Sequence, residues 1–415
     1  MLLVGIDWAD DHHDICFVDE TCQDLSSILD RFRIPHSADG FELLHEKLRQ
    51  REAAPDQICV AIETPHGLLV HDLIRYGCRV YAINPKSVSR YRDRHSPSSA
   101  KDDERDALAL AHLLRTDRHR YSPLEMLPED YRLLDEFCRD LRQMIEDRTR
   151  ILNRLTSCLK EYYPQAVGLF SRPDSLIGIA FLRAFPDPAS LRTLTKKRFA
   201  AFLIKHHYPV PSRTGELYAT LSAKAPTADT VVIQAGRLRM LTLLDQLVAL
   251  QEHVRDYERR IQKLFETLPG CKGISNLPGV GERVGPELAA ALGPKPEGDP
   301  KRHSSCRALQ RLAGSAPITK QSGRYRHVLF RRACDKRLRT TLHDWAKASL
   351  NTSRWARAYY DYHKTQGHRH NTILRNLACK LLKILHRLWR TGEEYDEGRH
   401  IDTLKSKGVA WATNL

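Results

Sequence analysis

Ala100-Lys-Asp-Asp-Glu-Arg-Asp-Ala-Leu-Ala-Leu-Ala-His-Leu-Leu114 turns from an acidic cluster into an apolar helix within one turn. On a helix Asp103 and Asp106 are three apart and Asp102 and Asp106 four apart, so either pair presents two carboxylates on one face. Leu108, Ala111 and Leu114 hold a different face in a core. Alone, such a cluster also suits a helix N-terminus, where acids complement the macrodipole. Two distant acids give it a second meaning. Asp7 ends the apolar run Leu2-Leu-Val-Gly-Ile6 and Glu63 ends Ile58-Cys-Val-Ala-Ile62; both runs read as buried strands. Carboxylates at two strand ends and on a helix supply the oxygen donors that a pair of Mg²⁺ ions, roughly 4 Å apart, needs for in-line attack on a phosphodiester.

Around these acids the order of elements defines a fold class. Residues 2 to 7, about 13 to 18 and 31 to 35 read as three consecutive strands, followed by a helix at about 39 to 51. Strand 57 to 63, helix 66 to 76, strand 78 to 83 and the helix from 101 complete the segment. A meander feeding alternating helices and strands gives a mixed sheet with helices on its faces. This order resembles the ribonuclease H or RuvC-like fold, in which carboxylates sit at the ends of the first and fourth strands and on a later helix. Arg90-Tyr-Arg-Asp-Arg-His-Ser-Pro-Ser-Ser99 is basic, polar and contains proline. It reads as a loop, either solvated or lying across nucleic acid through Arg90, Arg92, Arg94 and the following Lys101.

Beyond about residue 129 the pattern is helical. Leu134, Phe137, Leu141, Ile145, Leu152, Leu155 and Leu159 recur at spacings of three, four and seven, which marks one long amphipathic helix from about 131 to 163. Its polar face carries Arg142, Arg148 and Arg154, positioned either to track phosphates or to serve as a solvated flank. A second long helix from about 228 to 267 carries Leu238, Leu241, Leu244, Leu247, Leu250, Val254 and Ile261. Two such helices with an insertion between them suggest an antiparallel coiled-coil arm for dimerisation or RNA contact. Leu277-Pro-Gly-Val-Gly281 then opens an Ala/Leu helix, the pattern of a helix-hairpin-helix in which Gly279 and Gly281 let backbone N–H groups face a phosphate. Next, Ser322-Gly323 lies among Arg324, Arg326, Arg331, Arg332, Lys336 and Arg337. Taken alone, Ser322 is a loop serine capping a turn; among so many cations its hydroxyl is also open to a phosphate.

Composition agrees with a nucleic-acid partner. The 415 residues carry a formal charge of +15, as a polyphosphate ligand favours. No apolar segment approaches the roughly 20 residues of a membrane span, and no signal region opens the chain, so the expected location is the cytoplasm. The ten cysteines are scattered without a Cys-x-x-Cys, which argues against a disulfide framework or a zinc ribbon. His363, His368 and His370 have no acid or cysteine at ligand spacing and are expected to meet phosphate or solvent.

Several motifs in one order resemble a known family. They are Val4-Gly-Ile-Asp7, Ile62-Glu63-Thr-Pro, Asn84-Pro, Lys101-Asp-Asp103-Glu-Arg-Asp106-Ala107, Leu277-Pro-Gly-Val-Gly281, Ala316-Pro, Gln321-Ser322-Gly323 and Lys336-Arg-Leu-Arg339. The chain is similar, over nearly its whole length, to the DEDD transposases of bacterial insertion sequences, which include bridge-RNA-guided recombinases and, more distantly, Piv-type DNA invertases. The resemblance implies a RuvC-like catalytic domain at 1–125, a helical coiled-coil arm at 126–270 and a mostly helical transposase domain at 271–415. It implies a Mg²⁺-binding tetrad of Asp7, Glu63, Asp103 and Asp106, and Ser322 as a nucleophile forming a phosphoserine link to DNA. Asp102 stands where the family usually has a neutral residue, so Asp103 is chosen over it by register. The implied partners are an element-encoded guide RNA, donor and target duplex DNA, and further copies of the chain as a dimer or tetramer; the location is cytoplasmic, at the nucleoid. A metal-only RuvC-like nuclease or junction resolvase, with Ser322 a mere phosphate contact, is the alternative.

Overall fold

The computed structural model describes residues 1–21, 28–95, 103–296, 303, 305–323, 325–413 and 415. They form two compact units, Met1–Leu127 and Pro128–Leu415. The arm and the C-terminal region expected from the sequence thus fall within one unit.

The first unit is built on a five-stranded sheet in the order β3-β2-β1-β4-β5. β1 (Leu2–Trp8), β2 (His12–Asp19) and β3 (Ile28–Pro35) form the antiparallel meander. β4 (Ile58–Ile62) and β5 (Arg79–Ala82) add in parallel beside β1. This mixed sheet is consistent with the ribonuclease H-like expectation. The apolar stretches of its central strands, residues 2–6, 15–18 and 58–62, are buried because both faces of the sheet are covered. Val4, Ile6, Val60 and Ile62 pack under α1 (Ala38–Arg49) and α2 (Leu68–Tyr76). Leu3, Cys59, Ala61 and Tyr81 pack under Leu110, Ala111 and Leu114 of α4 (Asp103–Asp117). Between β5 and α4 lies α3 (Pro85–His95). The expectation of a loop from residue 90 is therefore corrected for 90–95, while 96–99 lie outside the described residues. Pro85 stands at the first helical position and the Asn84 carboxamide oxygen accepts a hydrogen bond from the Lys86 N–H at 2.9 Å, a start signal that overrides the polar composition.

One residue sets the depth at which α4 sits on the sheet. A Cβ added to Gly5 would lie 1.8 Å from the Ala107 carbonyl oxygen and 2.6 Å from the Ala111 nitrogen. Any side chain there would push the helix off β1. Glycine at this point lets the N-terminal turns of α4 approach the carboxyl ends of β1 and β4.

In the second unit, α5 (Glu129–Tyr162) and α10 (Thr230–Thr267) run antiparallel. Arg239 pairs with Glu161 near one end, and Tyr257 donates to Asp140 toward the other. At the Glu161 end, Leu155, Leu159 and Tyr162 join Met240, Leu243 and Leu247 in a core with the short helices α6 (Leu176–Ala184), α7 (Pro188–Leu191), α8 (Lys196–Lys205) and α9 (Thr214–Ser222). A second core gathers α11 (Cys271–Ser275), α12 (Val284–Leu292), α13 (Cys306–Leu312), α14 (Lys336–Thr352), α15 (Arg354–Thr365), α16 (His370–Thr391) and α17 (Glu397–Ser406) around Trp345 and Trp355. From this helical body a hairpin of β6 (Ile318–Ser322) and β7 (Tyr325–Leu329) projects. A mostly helical reading had not anticipated it.

Candidate active site and nucleic-acid interface

Strand alternation places two of the carboxylates. Leu3 and Gly5 face α4, so Asp7, two residues on, continues that face; Cys59 and Ala61 do the same for Glu63. Ile6 pairs with Ile62 at the end of the parallel ladder, and Asp7 and Glu63 follow these two residues directly in the chain. Both side chains are partly buried. Asp106 precedes the Ala107 that rests against Gly5, and it is 8 % exposed. Asp103 opens α4 one turn before Ala107; its side chain, like Asp102 and Lys101, lies outside what is described. Among the described residues no three His, Cys, Asp or Glu side chains are grouped closely enough to hold a metal ion. The donor chemistry nevertheless fits Mg²⁺, a hard cation that prefers carboxylate oxygens. Arg92, expected at nucleic acid, instead bonds its Nη1 to Asp106 Oδ1.

A further carboxylate was missed. Asp14 on β2 lies directly opposite Asp7 and shares the face of Cys16. Only 6 % of it is exposed, and Arg33 on β3 grips both its oxygens, Nε at 3.0 Å and Nη2 at 2.8 Å. An acid directly before the apolar run Ile15-Cys-Phe-Val18 was the available signal. Two buried thiols of this unit are held in the protonated, weakly nucleophilic form: burial pushes Cys16 up to about 11 and Cys78 up to about 12.

Ser322 ends β6 opposite Tyr325, at the tip of the hairpin. Gly323 follows with φ of +54°, a conformation that favours glycine, and with open space where a side chain would stand. The described hairpin residues 319–323 and 325–330 are all exposed. Lys320 and His327 pair across the same face as Ser322 and Tyr325. Arg326 and Arg332 are exposed, while Arg331 donates from Nε to the Ala316 carbonyl at 3.1 Å; Arg324 lies outside the described residues. No acid occurs between Asp299 and Asp335, so this region meets a polyanion without internal repulsion.

Other expected contacts resolve differently. Arg142 bonds Glu287 of α12 at 2.6 Å, Arg148 bonds Asp174, and Arg337 bonds Asp135. Burial raises the carboxyl of Asp174, but hydrogen bonds from Arg148 and Arg172 outweigh it and hold the group below the usual carboxylate range. These three arginines tie α5 to its own unit, a correction of their assignment to a phosphate-facing surface. Arg90, Arg94, Arg154 and Lys336 are exposed, as a phosphate contact requires. Gly279, expected to cradle phosphate, has a packing reason instead: its Cβ would lie 2.4 Å from the Ser349 nitrogen. A Cβ at Gly281 would meet nothing.

Arg142→Ala should therefore cost stability, not nucleic-acid affinity. It leaves Glu287, whose side chain is 13 % exposed, without its cation, a loss of about 2 kcal/mol after allowance for partial solvation. The expected result is a lower urea midpoint with an unchanged salt dependence of DNA binding. Unchanged stability with a flattened salt dependence would return Arg142 to the binding surface.

Comparisons with known proteins identify the family. A family model described as a DEDD transposase matches residues 4–164, and one described as the transposase IS116/IS110/IS902 family matches residues 271–361. The mini-circle putative transposase for IS117 of Streptomyces coelicolor is 32% identical over 95% of each chain. The insertion element IS116 uncharacterized 44.8 kDa protein of Streptomyces clavuligerus is 26% identical over 92% of this chain and 93% of its own. The insertion element IS900 uncharacterized 42 kDa protein of Mycobacterium paratuberculosis is 26% identical over 86% and 92%. With acids at the carboxyl ends of adjacent parallel strands, a helix seated beside them and a relative of this identity along almost its whole length, the chain belongs to the IS116/IS110/IS902 family of transposases, enzymes that cut DNA and transfer its strands.

Proposed function

We propose that this transposase cuts DNA with a metal-binding tetrad of Asp7, Glu63, Asp103 and Asp106 and with Ser322 as nucleophile, guided by RNA encoded in its own element. The observation that supports the reading is the seating of α4 on Gly5 through Ala107, the residue after Asp106, on the sheet face that alternation assigns to Asp7 and Glu63. The carboxylates would hold two Mg²⁺ ions. When bound, such ions neutralise charge on the scissile phosphate and ease loss of the serine proton. The Ser322 oxygen then bonds to phosphorus as one ester bond of the strand breaks, and the departing sugar oxygen takes up a proton. Support for the serine comes from its exposed place at the hairpin tip and from the acid-free, cation-rich sequence around it. The guide RNA and assembly as a dimer or tetramer rest on the family resemblance. Among the described residues no helix is long and apolar enough to cross a membrane.

RNA guidance has a direct test. Protein purified from cells carrying the whole element should retain a discrete transcript from the element's flanks, identified by sequencing. Recovery of only bulk cellular RNA would leave a transposase without a guide. The serine and the acids have their own tests, which separate covalent from hydrolytic cleavage.

A further inference from the structure

The root of the hairpin holds a cluster that the chemistry above does not use. Phe330, the residue after β7, is 43 % exposed, and two guanidinium groups lean on its ring. Arg339 of α14 lies 5.1 Å from the ring centre and Arg375 of α16 lies 5.0 Å from it. Among the described residues neither arginine forms an ion pair with a carboxylate, although Arg139, Arg142, Arg148 and Arg337 of the same unit do. Both border a cavity of about 380 Å³. His343, one turn after Arg339, and Asn371, one turn before Arg375, line it too. Two cations drawn to one ring without a compensating acid repel each other, and an anion between them relieves that.

We propose that this cavity is a binding site for a backbone phosphate of the DNA strand that the hairpin engages. Planar guanidinium forks match phosphate oxygens bidentately, and the ring fixes their orientation before the ligand arrives. His343 and Asn371 supply further polar groups. The volume exceeds what a bare phosphate fills and admits the attached sugar. DNA is the strand in question because the family acts on DNA and because the cavity adjoins the element that presents Ser322. The five residues of β7, at about 3.4 Å each, place the root about 17 Å from the tip. That corresponds to about five steps of a duplex rising about 3.4 Å per step. The site acts as an anchor that sets which phosphate reaches the tip. It does not depend on Ser322 being the nucleophile.

The test is binding of a labelled short DNA duplex as a function of salt. The double variant Arg339→Gln/Arg375→Gln should lower the slope of log affinity against log salt by about 0.9, the equivalent of one phosphate. Over a fourfold rise in salt the variant then loses about 3-fold less affinity than the parent. Arg339→Lys/Arg375→Lys keeps both charges and should keep the parental slope while binding more weakly. Without DNA, the melting temperature of the glutamine variant should equal or exceed the parent's, since a repulsion is removed. An unchanged slope overturns the site. A slope lowered by about twice that amount, two separate phosphates, overturns the shared cavity. A melting temperature several degrees lower makes the arginines structural. Loss confined to a labelled single-stranded RNA, with the duplex slope intact, overturns the assignment to DNA. Ser322→Ala should bind with the parental slope, so failure of the serine chemistry and failure of this site are read separately.

Discussion

Ser322→Ala is expected to abolish both recombination and any covalent protein–DNA product. With Mg²⁺, cognate RNA and DNA, the parent should yield a DNA strand joined to the peptide around Gln321-Ser322-Gly323 and resistant to denaturant. Loss of a nucleophile from a concerted site typically costs about 10⁴-fold or more in rate. The fold should tolerate the change, because Ser322 is exposed at the end of β6 and packs against no core. Ser322→Cys keeps a nucleophile but presents a softer atom to a phosphate held by hard cations, so little turnover is expected. Gly323→Val should also be slow: φ of +54° is strained for a β-branched residue even with open space around it. Free cut ends from Ser322→Ala at the parental rate, with no adduct in the parent, would identify water as the attacking group. The chain would then be a metal-only nuclease in which Ser322 contacts phosphate.

The sheet was legible in the sequence because its central strands are covered on both faces, so β1, β2 and β4 each carry an apolar run, residues 2–6, 15–18 and 58–62. β3 begins at Ile28, earlier than its reading at 31, because the adjacent charged pair Asp30-Arg31 on this edge strand separates Ile28 and Leu29 from the rest of its apolar residues. The two long helices announced themselves by period, and their ends fall within a few residues of the reading. Their partners did not. A helical pattern states which face is polar, but not that Arg142 meets Glu287 from 145 positions away. The hairpin escaped for the opposite reason: with both faces exposed it shows no alternation of hydrophobic and polar residues, and only Ser322-Gly323 between two β-prone runs marked its turn. Asp7, Glu63 and Asp106 stand out in the sequence because each adjoins an apolar run. Asp14 was hidden mid-strand, where only a cross-strand partner such as Arg33 makes a carboxylate tolerable.

Removing a tetrad carboxylate is expected to eliminate cleavage while DNA binding persists. Asp7→Asn, Glu63→Gln and Asp106→Asn each keep size and hydrogen-bonding capacity but withdraw the charge that a divalent cation requires. Calorimetric titration with Mg²⁺ should show weaker metal binding in each, alongside loss of strand cutting. Asp106 needs the amide variant rather than alanine because Arg92 bonds to it, and an empty position would strand that cation in a half-buried place. Asp14→Asn is the informative contrast. Its partner is the Arg33 guanidinium, so the variant should unfold earlier yet cut at close to the parental rate per folded molecule. Equal loss of metal affinity in Asp14→Asn would make it a ligand in place of one of the four. Register within the acidic cluster follows from one more pair: Asp103→Asn should lose cleavage and Asp102→Asn should keep it, since Asp103 begins α4 one helical turn before the Ala107 seated on Gly5. The reverse outcome moves the ligand to Asp102, and near-parental cutting by Asp106→Asn removes the metal assignment altogether.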